Sequence, residues 1–159
     1  MAPHIIPHVY ATHAHLRKTT VYLMRILFDT NVLVDAAVTQ RSYHREALLL
    51  INEAENGRLS GVMAPLSLST LWYLGTVHYD TDPRPLLRDL RQVLDLSPMN
   101  RSVLDRALAY DAHTDFEDMY LAEAGHAAGA SAIVTRNEAD FATTPLTVYH
   151  PTTLIALLQ

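Results

Sequence analysis

The sequence predicts an α/β protein in which helices cover both faces of a central parallel sheet. Two short apolar segments, at residues 25–29 and 131–135, are typical of buried parallel strands. Segments with helical periodicity separate such strands, and this alternation is characteristic of parallel sheets with helices on both faces. The chain has 159 residues, of which 49% are apolar, so it can form one domain with a substantial core.

The first half of the domain contains two predicted strands and three predicted helices. Residues 43–55 carry apolar side chains on one side and charged ones elsewhere, and Gly57 then ends this amphipathic helix. Pro65 begins a helix that we expect to reach Tyr79. These elements span residues 25–29, 31–38, 43–55, 59–64 and 65–79. The side chains of the last helix that we expect in the core are Leu68, Leu71, Trp72 and Tyr73.

The second half begins with a loop at residues 80–85 and continues the alternation. Asn100 is a suitable N-cap, and Gly129 is a suitable helix end. The predicted helices span residues 85–94, 100–110, 115–128 and 152–158. The predicted strands span residues 96–98, 131–135 and 146–149. On the first of these helices, Arg84, Arg88 and Arg91 fall on one face.

Residues 1–24 differ from the rest of the chain. They contain four histidines and no acidic residue, and no periodic apolar face is present. We expect a disordered N-terminal extension, or a start codon assigned upstream of Met24. The domain itself is predicted to span residues 25–159.

Composition excludes several classes of protein. The net charge is −5, which excludes a strongly basic nucleic-acid coat, although a local arginine cluster or a bound cation can still bind RNA. The chain has no cysteine, so it has no disulfide, thiolate zinc site or cysteine nucleophile; this composition suits a reducing compartment, and we predict a cytoplasmic protein. No apolar run reaches the ~20 residues of a membrane span. Neither GxGxxG, a Walker motif nor GxSxG occurs, and Asn31 argues against a haloacid-dehalogenase-like phosphatase.

Three polar clusters come at or near the ends of predicted strands, where α/β proteins place their sites. Asp29 follows the first strand, residues 115–118 (DFED) begin a helix, and residues 135–137 (TRN) follow a later strand. Each has a structural alternative, since Asp29 would also cap a helix, Asp115 and Asp118 resemble a capping box, and Asn137 suits a turn. If all three clusters meet at one edge, their carboxylates repel one another unless a cation such as Mg²⁺ or Mn²⁺ neutralises them. We expect Asp35 and Asp111 to be solvated.

Taken together, these residues resemble the PIN domain family. The similar segments are residues 26–35 (ILFDTNVLVD), 115–125 (DFEDMYLAEAG) and 133–141 (IVTRNEADF), in that order. The resemblance implies a three-layer α/β/α fold with a central parallel sheet and a ribonuclease dependent on Mg²⁺ or Mn²⁺. VapC-type toxins are relatives within the family, and PIN proteins are often dimers.

The resemblance also implies roles for individual residues. Asp29 and Asp118 match the acidic metal ligands, and Thr30 and Asn31 match the polar residues that brace the first of them. Asp140 belongs to a pair with Phe141 that we expect to be structural. The residues that match the catalytic set are Asp29, Asp115, Glu117, Asp118 and Asn137. One departure concerns the helix after the second strand, where Thr70 falls at or next to the place of a usual acid.

The main functional hypothesis is a metal-dependent endoribonuclease, the toxin of a toxin–antitoxin pair that acts on RNA and forms a homodimer. The alternative is a PIN-like module of little or no activity that binds RNA or a protein, and Thr70 is the residue that supports it. A metal-dependent phosphatase finds no specific motif. Four arginines are candidates for positioning the RNA backbone, although a solvated helix surface is the slightly favoured explanation for those on the helix face. They are Arg84, Arg88, Arg91 and Arg136.

Overall fold

Five parallel strands form one sheet in the order β3-β2-β1-β4-β5. The computed structural model describes residues 24–159, so the predicted N-terminal extension lies, apart from Met24, outside the described residues. The strands are β1 (Arg25–Phe28), β2 (Ser60–Met63), β3 (Asp95–Leu96), β4 (Ala132–Val134) and β5 (Thr147–Tyr149). The register pairs Leu27 with Val62 on one side of β1 and with Ile133 on the other.

Seven α-helices surround the sheet within the described residues. They are α1 (Thr30–Ala37), α2 (His44–Glu55), α3 (Pro65–Tyr73), α4 (Arg84–Val93), α5 (Arg101–Ala107), α6 (Phe116–Ala127) and α7 (Pro151–Leu158). A π-helical turn, Leu74–His78, continues α3, and a 3-10 turn, Glu138–Phe141, follows β4. Every helix in this part of the chain is too short or too polar to cross a lipid bilayer.

Alternation along β1 creates two cores, one on each face of the sheet. Ile26 and Phe28 pack into one cluster with residues of α1, α2 and α7, whereas Leu27 packs into the other with residues of α6. A strand whose successive side chains point to opposite faces needs cover on both. The three-layer α/β/α architecture that the sequence predicts is therefore confirmed.

Helix α6 packs very closely against the central strand. A Cβ atom at Gly125 would lie 2.6 Å from Leu27 Cδ2, so any larger residue would force Leu27 or the helix to shift. The contact fixes α6 on β1, and the N-terminal end of α6 thereby reaches the edge of the sheet at which β1 ends. Asp115 is the N-cap of this helix, as predicted.

The prediction that Trp72 and Tyr73 belong to the core is wrong. Their exposed fractions are 40% and 54%, whereas Ser67 and Leu71 of the same helix are buried. The buried pair lies one turn apart and defines the inner face of α3. Trp72 and Tyr73 are the next two residues, and a helix rotates them away from that face toward solvent.

Candidate functional site

Asp29 lies directly after the central strand, with 4% of its surface exposed. Although it occupies the N-cap position of α1, its side chain makes no capping hydrogen bond. Its Oδ2 instead accepts a hydrogen bond of 2.6 Å from the hydroxyl of Thr135 at the end of β4. The side chain is thus tied to the neighbouring strand as well as placed at the start of α1.

A small polar network holds Thr135 in place. Its Oγ1 accepts hydrogen bonds from Asn31 Nδ2 at 3.2 Å and from the backbone N–H of Asn137 at 3.0 Å. With both donors directed at this oxygen, the hydroxyl proton is available for Asp29. Asn31 therefore braces the first aspartate, as the sequence predicts, while Thr30 pairs with Ser67 of α3 at 2.7 Å between hydroxyl oxygens.

The remaining carboxylates come from the start of α6. Asp115 Oδ1 accepts hydrogen bonds from the backbone N–H groups of Glu117 at 2.8 Å and Asp118 at 3.4 Å. The capping alternative is therefore realised for Asp115. The same cap orders the first turn of the helix and so positions Glu117 and the half-buried Asp118.

One cleft gathers all five residues that the sequence predicts for the site. It opens at the carboxyl ends of β1 and β4, between α1 and the start of α6, and Arg41 and Leu74 form part of its wall. The predicted residues that line it are Asp29, Asp115, Glu117, Asp118 and Asn137. Their spatial convergence is a property of the fold, and their roles in catalysis and metal binding stay predictions.

The two innermost aspartates have strongly perturbed pKa values. Burial raises the pKa of Asp29 to about 6, and the Thr135 hydroxyl, the nearby backbone amides and the charge of Arg136 only partly oppose it. The pKa of Asp118 is raised to about 7, first by burial and then by the charges of Asp29, Asp115, Asp140 and Glu117. Negative charge is thus concentrated at one place without full compensation, which is typical of functional sites.

Asp35 was expected to be solvated, and this prediction is wrong. The side chain is 1% exposed and forms ion pairs with Arg41 and with Arg136, whose Nε lies 2.8 Å from Asp35 Oδ2. Its backbone carbonyl lies 2.9 Å from His44 Nδ1. The sequence gave only a weak signal for this, because Arg136 comes from the distant end of β4 and only the fold brings it to Asp35. Arg41, which lines the cleft, is anchored by this buried carboxylate.

The α3 side of the cleft is apolar. Within the described residues, Leu74 of the π-helical turn lines the cleft, whereas the half-buried Thr70 does not. Thr70 lies one turn before Leu74 and one turn after Ser67. On the helix where the family usually carries an acid, this chain therefore presents a cleft wall without a carboxylate.

No group of three or more histidine, cysteine, aspartate or glutamate side chains in residues 24–159 is arranged to hold a metal ion. A cation in the cleft would have carboxylate and amide oxygens as possible ligands. An amide oxygen and water molecules would complete its coordination shell.

The comparison with known families agrees with this geometry. A family model for the PIN domain matches residues 25–139, which is most of the chain. The chain belongs to the PIN domain family. Among curated proteins, none matches the sequence.

Solved structures are similar to this PIN domain as well, and sixteen chains match it. One is a chain from the crystal structure of VapBC2 from Rickettsia felis, which is bound to a DNA fragment from the VapBC2 promoter. The two chains are 18% identical, and the TM-score is 0.57. The match covers 80% of this chain and 98% of that chain. At this identity the likeness shows a shared fold.

Arg41 is the residue of this PIN domain site that sequence reasoning missed. It follows α1 in a short turn and belongs to no motif. The available signal was its spacing of six residues from Asp35, because an arginine just beyond a helix can reach back to a carboxylate near the helix end. That signal is weak without the fold.

Proposed function

We propose that this PIN domain is a metal-dependent endoribonuclease that hydrolyses phosphodiester bonds in RNA. The observation that carries the proposal is the cleft in which buried Asp29 meets half-buried Asp118 with raised pKa values. Carboxylates that are concentrated at the carboxyl end of the central strand without full compensation favour the binding of a cation there. Membership in the PIN domain family supports nuclease chemistry.

The donor set of the cleft fits Mg²⁺ or Mn²⁺. Asp29 and Asp118 would hold the ion, and Mg²⁺ commonly uses one or two carboxylates with water and phosphate oxygens as its other ligands. When bound, the ion would supply an activated water and shield the charge that develops on the phosphate.

The other side chains of the cleft have distinct tasks in this proposal. Glu117 and Asn137 are exposed at its rim, where they would orient a water or a phosphate oxygen. Asp115 holds the first turn of α6 by its capping bonds and so keeps Asp118 in place. Arg41 would bind a phosphate oxygen, because Asp35 keeps its guanidinium at the cleft wall.

The test is cleavage of a mixed RNA pool by the full chain in Mg²⁺ or Mn²⁺, with EDTA as the control. We expect fragments only when the metal ion is present. Intact RNA under every metal condition would favour the alternative function, a PIN-like module that binds RNA or protein without cleaving. The observation that favours this alternative is Leu74, which places a hydrocarbon wall on the α3 side of the cleft.

A toxin–antitoxin context is part of the proposal. The similar Rickettsia felis chain was solved as VapBC2, and this likeness supports a cognate antitoxin for the present chain. Co-expression with a small neighbouring gene should relieve toxicity and suppress cleavage. The cytoplasmic location stays a prediction from the sequence.

The predicted homodimer is retained as a proposal as well. Tyr73 and Val77 on α3 and its π-helical turn are 54% and 59% exposed, and Leu49 of α2 is 40% exposed. Sedimentation at tens of micromolar should show a species of twice 17.8 kDa. A single monomeric species would contradict it.

A further inference from the structure

A second concave surface lies on the same edge of the sheet as the acidic cleft. Its floor is apolar, formed by Leu68, Leu87 and Leu96, and its rim carries Arg84, Arg88 and Arg91. We call this surface the arginine groove. The three arginines that the sequence placed on one helix face are thus brought together around an apolar floor.

The register of the sheet places the arginine groove next to the cleft. Met63 at the end of β2 also lines the groove. Because Leu27 pairs with Val62, Met63 is level with Phe28, the residue immediately before Asp29. Neighbouring strands are about 4.8 Å apart, so β3 at the far side of the groove is roughly 10 Å from β1.

Helix α3 separates the two surfaces by a single turn. Ser67 contacts Thr30, which lines the cleft, and the next residue, Leu68, lines the groove. An extended polymer that lies in the cleft therefore meets the groove within a short distance.

The charges of the groove are available for a ligand. Within residues 24–159, four arginines make no ion pair, and two of them, Arg88 and Arg91, line the groove. The other two are Arg45 and Arg101. Asp82 makes its ion pair with Arg84, although it is close enough to Arg88 for that charge to help lower the pKa of Asp82. In a chain with a net charge of −5, two guanidinium groups without ion pairs on one concave surface favour an anionic ligand.

An aromatic ring lies beside the groove, in contact with one of its arginines. The guanidinium carbon of Arg84 lies 5.1 Å from the centre of the Trp72 ring, which is 40% exposed. Basic side chains together with an aromatic side chain are characteristic of surfaces that bind single-stranded nucleic acid. In such surfaces the arginines contact phosphates and the bases stack on the aromatic ring.

We propose that the arginine groove binds the single-stranded RNA that extends from the cleft, with Arg88 and Arg91 on its phosphates and a base against Trp72. The proposal rests on the nuclease function proposed above and specifies how its substrate is held. An acidic peptide is the other ligand that such a groove would accept, and the nucleic acid is favoured because the groove adjoins the cleft along the sheet edge.

The binding test compares two double variants of the full chain. Arg88→Ala/Arg91→Ala removes the unpaired groove arginines, and Arg45→Ala/Arg101→Ala removes the unpaired arginines elsewhere, with the same change in net charge. The probe is a fluorescein-labelled oligouridylate of about twelve nucleotides in EDTA, a length within the range of single-strand sites. We expect the groove variant to bind this RNA on the order of tenfold more weakly than the wild type. A plot of log K against the logarithm of the salt concentration should also become shallower by about 1.4, because two phosphate contacts are lost.

Trp72 provides a direct reporter because it is the single tryptophan of the chain. Titration with the same RNA should quench its fluorescence, and the groove variant should shift that titration to higher RNA concentration. Equal RNA affinity of the wild type and both variants, or unchanged Trp72 fluorescence at saturating RNA, would overturn the proposal. An acidic peptide that quenches Trp72 when RNA does not would assign the groove to a protein partner instead.

Cleavage separates this proposal from the proposed function. If both hold, the groove variant should show a lower kcat/KM than the Arg45→Ala/Arg101→Ala control on the long oligomer in Mg²⁺, and this difference should shrink when the substrate is a dinucleotide. A wild type that binds RNA through the groove and cleaves neither substrate would refute the nuclease function and leave the groove assignment supported. Equal kcat/KM of the two double variants on long RNA would contradict the groove.

Discussion

Asp29 and Asp35 are buried carboxylates six residues apart, and their surroundings are opposite. Asp35 lies between the guanidinium groups of Arg41 and Arg136. Asp29 accepts a hydrogen bond from the Thr135 hydroxyl and forms no ion pair among the described residues, while Asp118 adds a second negative charge nearby. Burial alone does not distinguish a structural acid from a functional one. The difference lies in the compensation: Asp35 has two ion pairs, whereas the charge of Arg136 compensates Asp29 only in part, so a bound cation would stabilise the Asp29 carboxylate further.

The largest expected effect is on cleavage by the Asp29→Asn variant. Asparagine is nearly isosteric and removes the charge that would bind the metal ion, so we expect the rate to fall by roughly a thousandfold, about 4 kcal/mol of barrier. The measurement is the Mg²⁺-dependent turnover of RNA by the purified variant. Asp105→Asn, at an exposed carboxylate of α5, is the matched control and should keep full activity. Unchanged turnover of Asp29→Asn would remove Asp29 from the site.

The same substitution at Asp35 should act on stability instead. Asp35→Asn leaves Arg41 and Arg136 without their buried anion, and breaking a buried ion pair costs roughly 3 kcal/mol. Urea unfolding in EDTA should therefore show a destabilised variant, whereas Asp29→Asn should be at least as stable as the wild type. If the two substitutions change the free energy of unfolding in the same direction, the contrast between the two carboxylates is wrong.

The raised pKa values predict a pH dependence with a definite sign. In the folded state Asp29 titrates near 6, above the ordinary 3.8, so the folded protein binds more protons between these values. Without metal, the free energy of unfolding should therefore rise as the pH falls from about 7 to about 4, by about 3 kcal/mol for Asp29. Asp118, with a pKa of about 7, contributes in the same direction.

Unfolding of the wild type and of Asp29→Asn in EDTA across this pH range measures the Asp29 contribution as a difference. The variant should show the smaller rise on acidification. Added Mg²⁺ should reduce the wild-type slope, because metal and proton compete for the same carboxylates. If the free energy of unfolding of the two proteins depends on pH in the same way, the pKa of Asp29 is not raised.

The fold was accessible from the sequence because its signals are local. The apolar strands around Leu27 and Ile133, and the helix stop at Gly57, depend only on neighbouring residues. The convergence of Asp29 and Asn137 was also predictable, because both follow parallel strands that end at one edge, whereas the position of Asp118 at the start of α6 followed from the resemblance to the PIN family. The parts that failed depend on long-range packing. Examples are the burial of Asp35, which requires Arg136 from a distant strand end, and the outward direction of Trp72, which requires the orientation of α3.

The smallest expected effect concerns Leu74, the apolar wall that faces the cleft where the sequence departs from the usual acid. Leu74→Glu would add a carboxylate there, and Leu74→Gln is the control of equal size without the charge. If Asp29 and Asp118 form a metal site, the glutamate should strengthen Mn²⁺ binding by roughly tenfold or less, about 1.4 kcal/mol, relative to the glutamine. Calorimetric titration of both variants measures this ratio, so the packing cost of losing Leu74 cancels.

If the cleft binds no cation, the added charge meets two other carboxylates without a counter-ion, and Leu74→Glu should be less stable than Leu74→Gln in Mn²⁺ and in EDTA alike. That result would contradict a metal site, and it would favour the binding module over the nuclease.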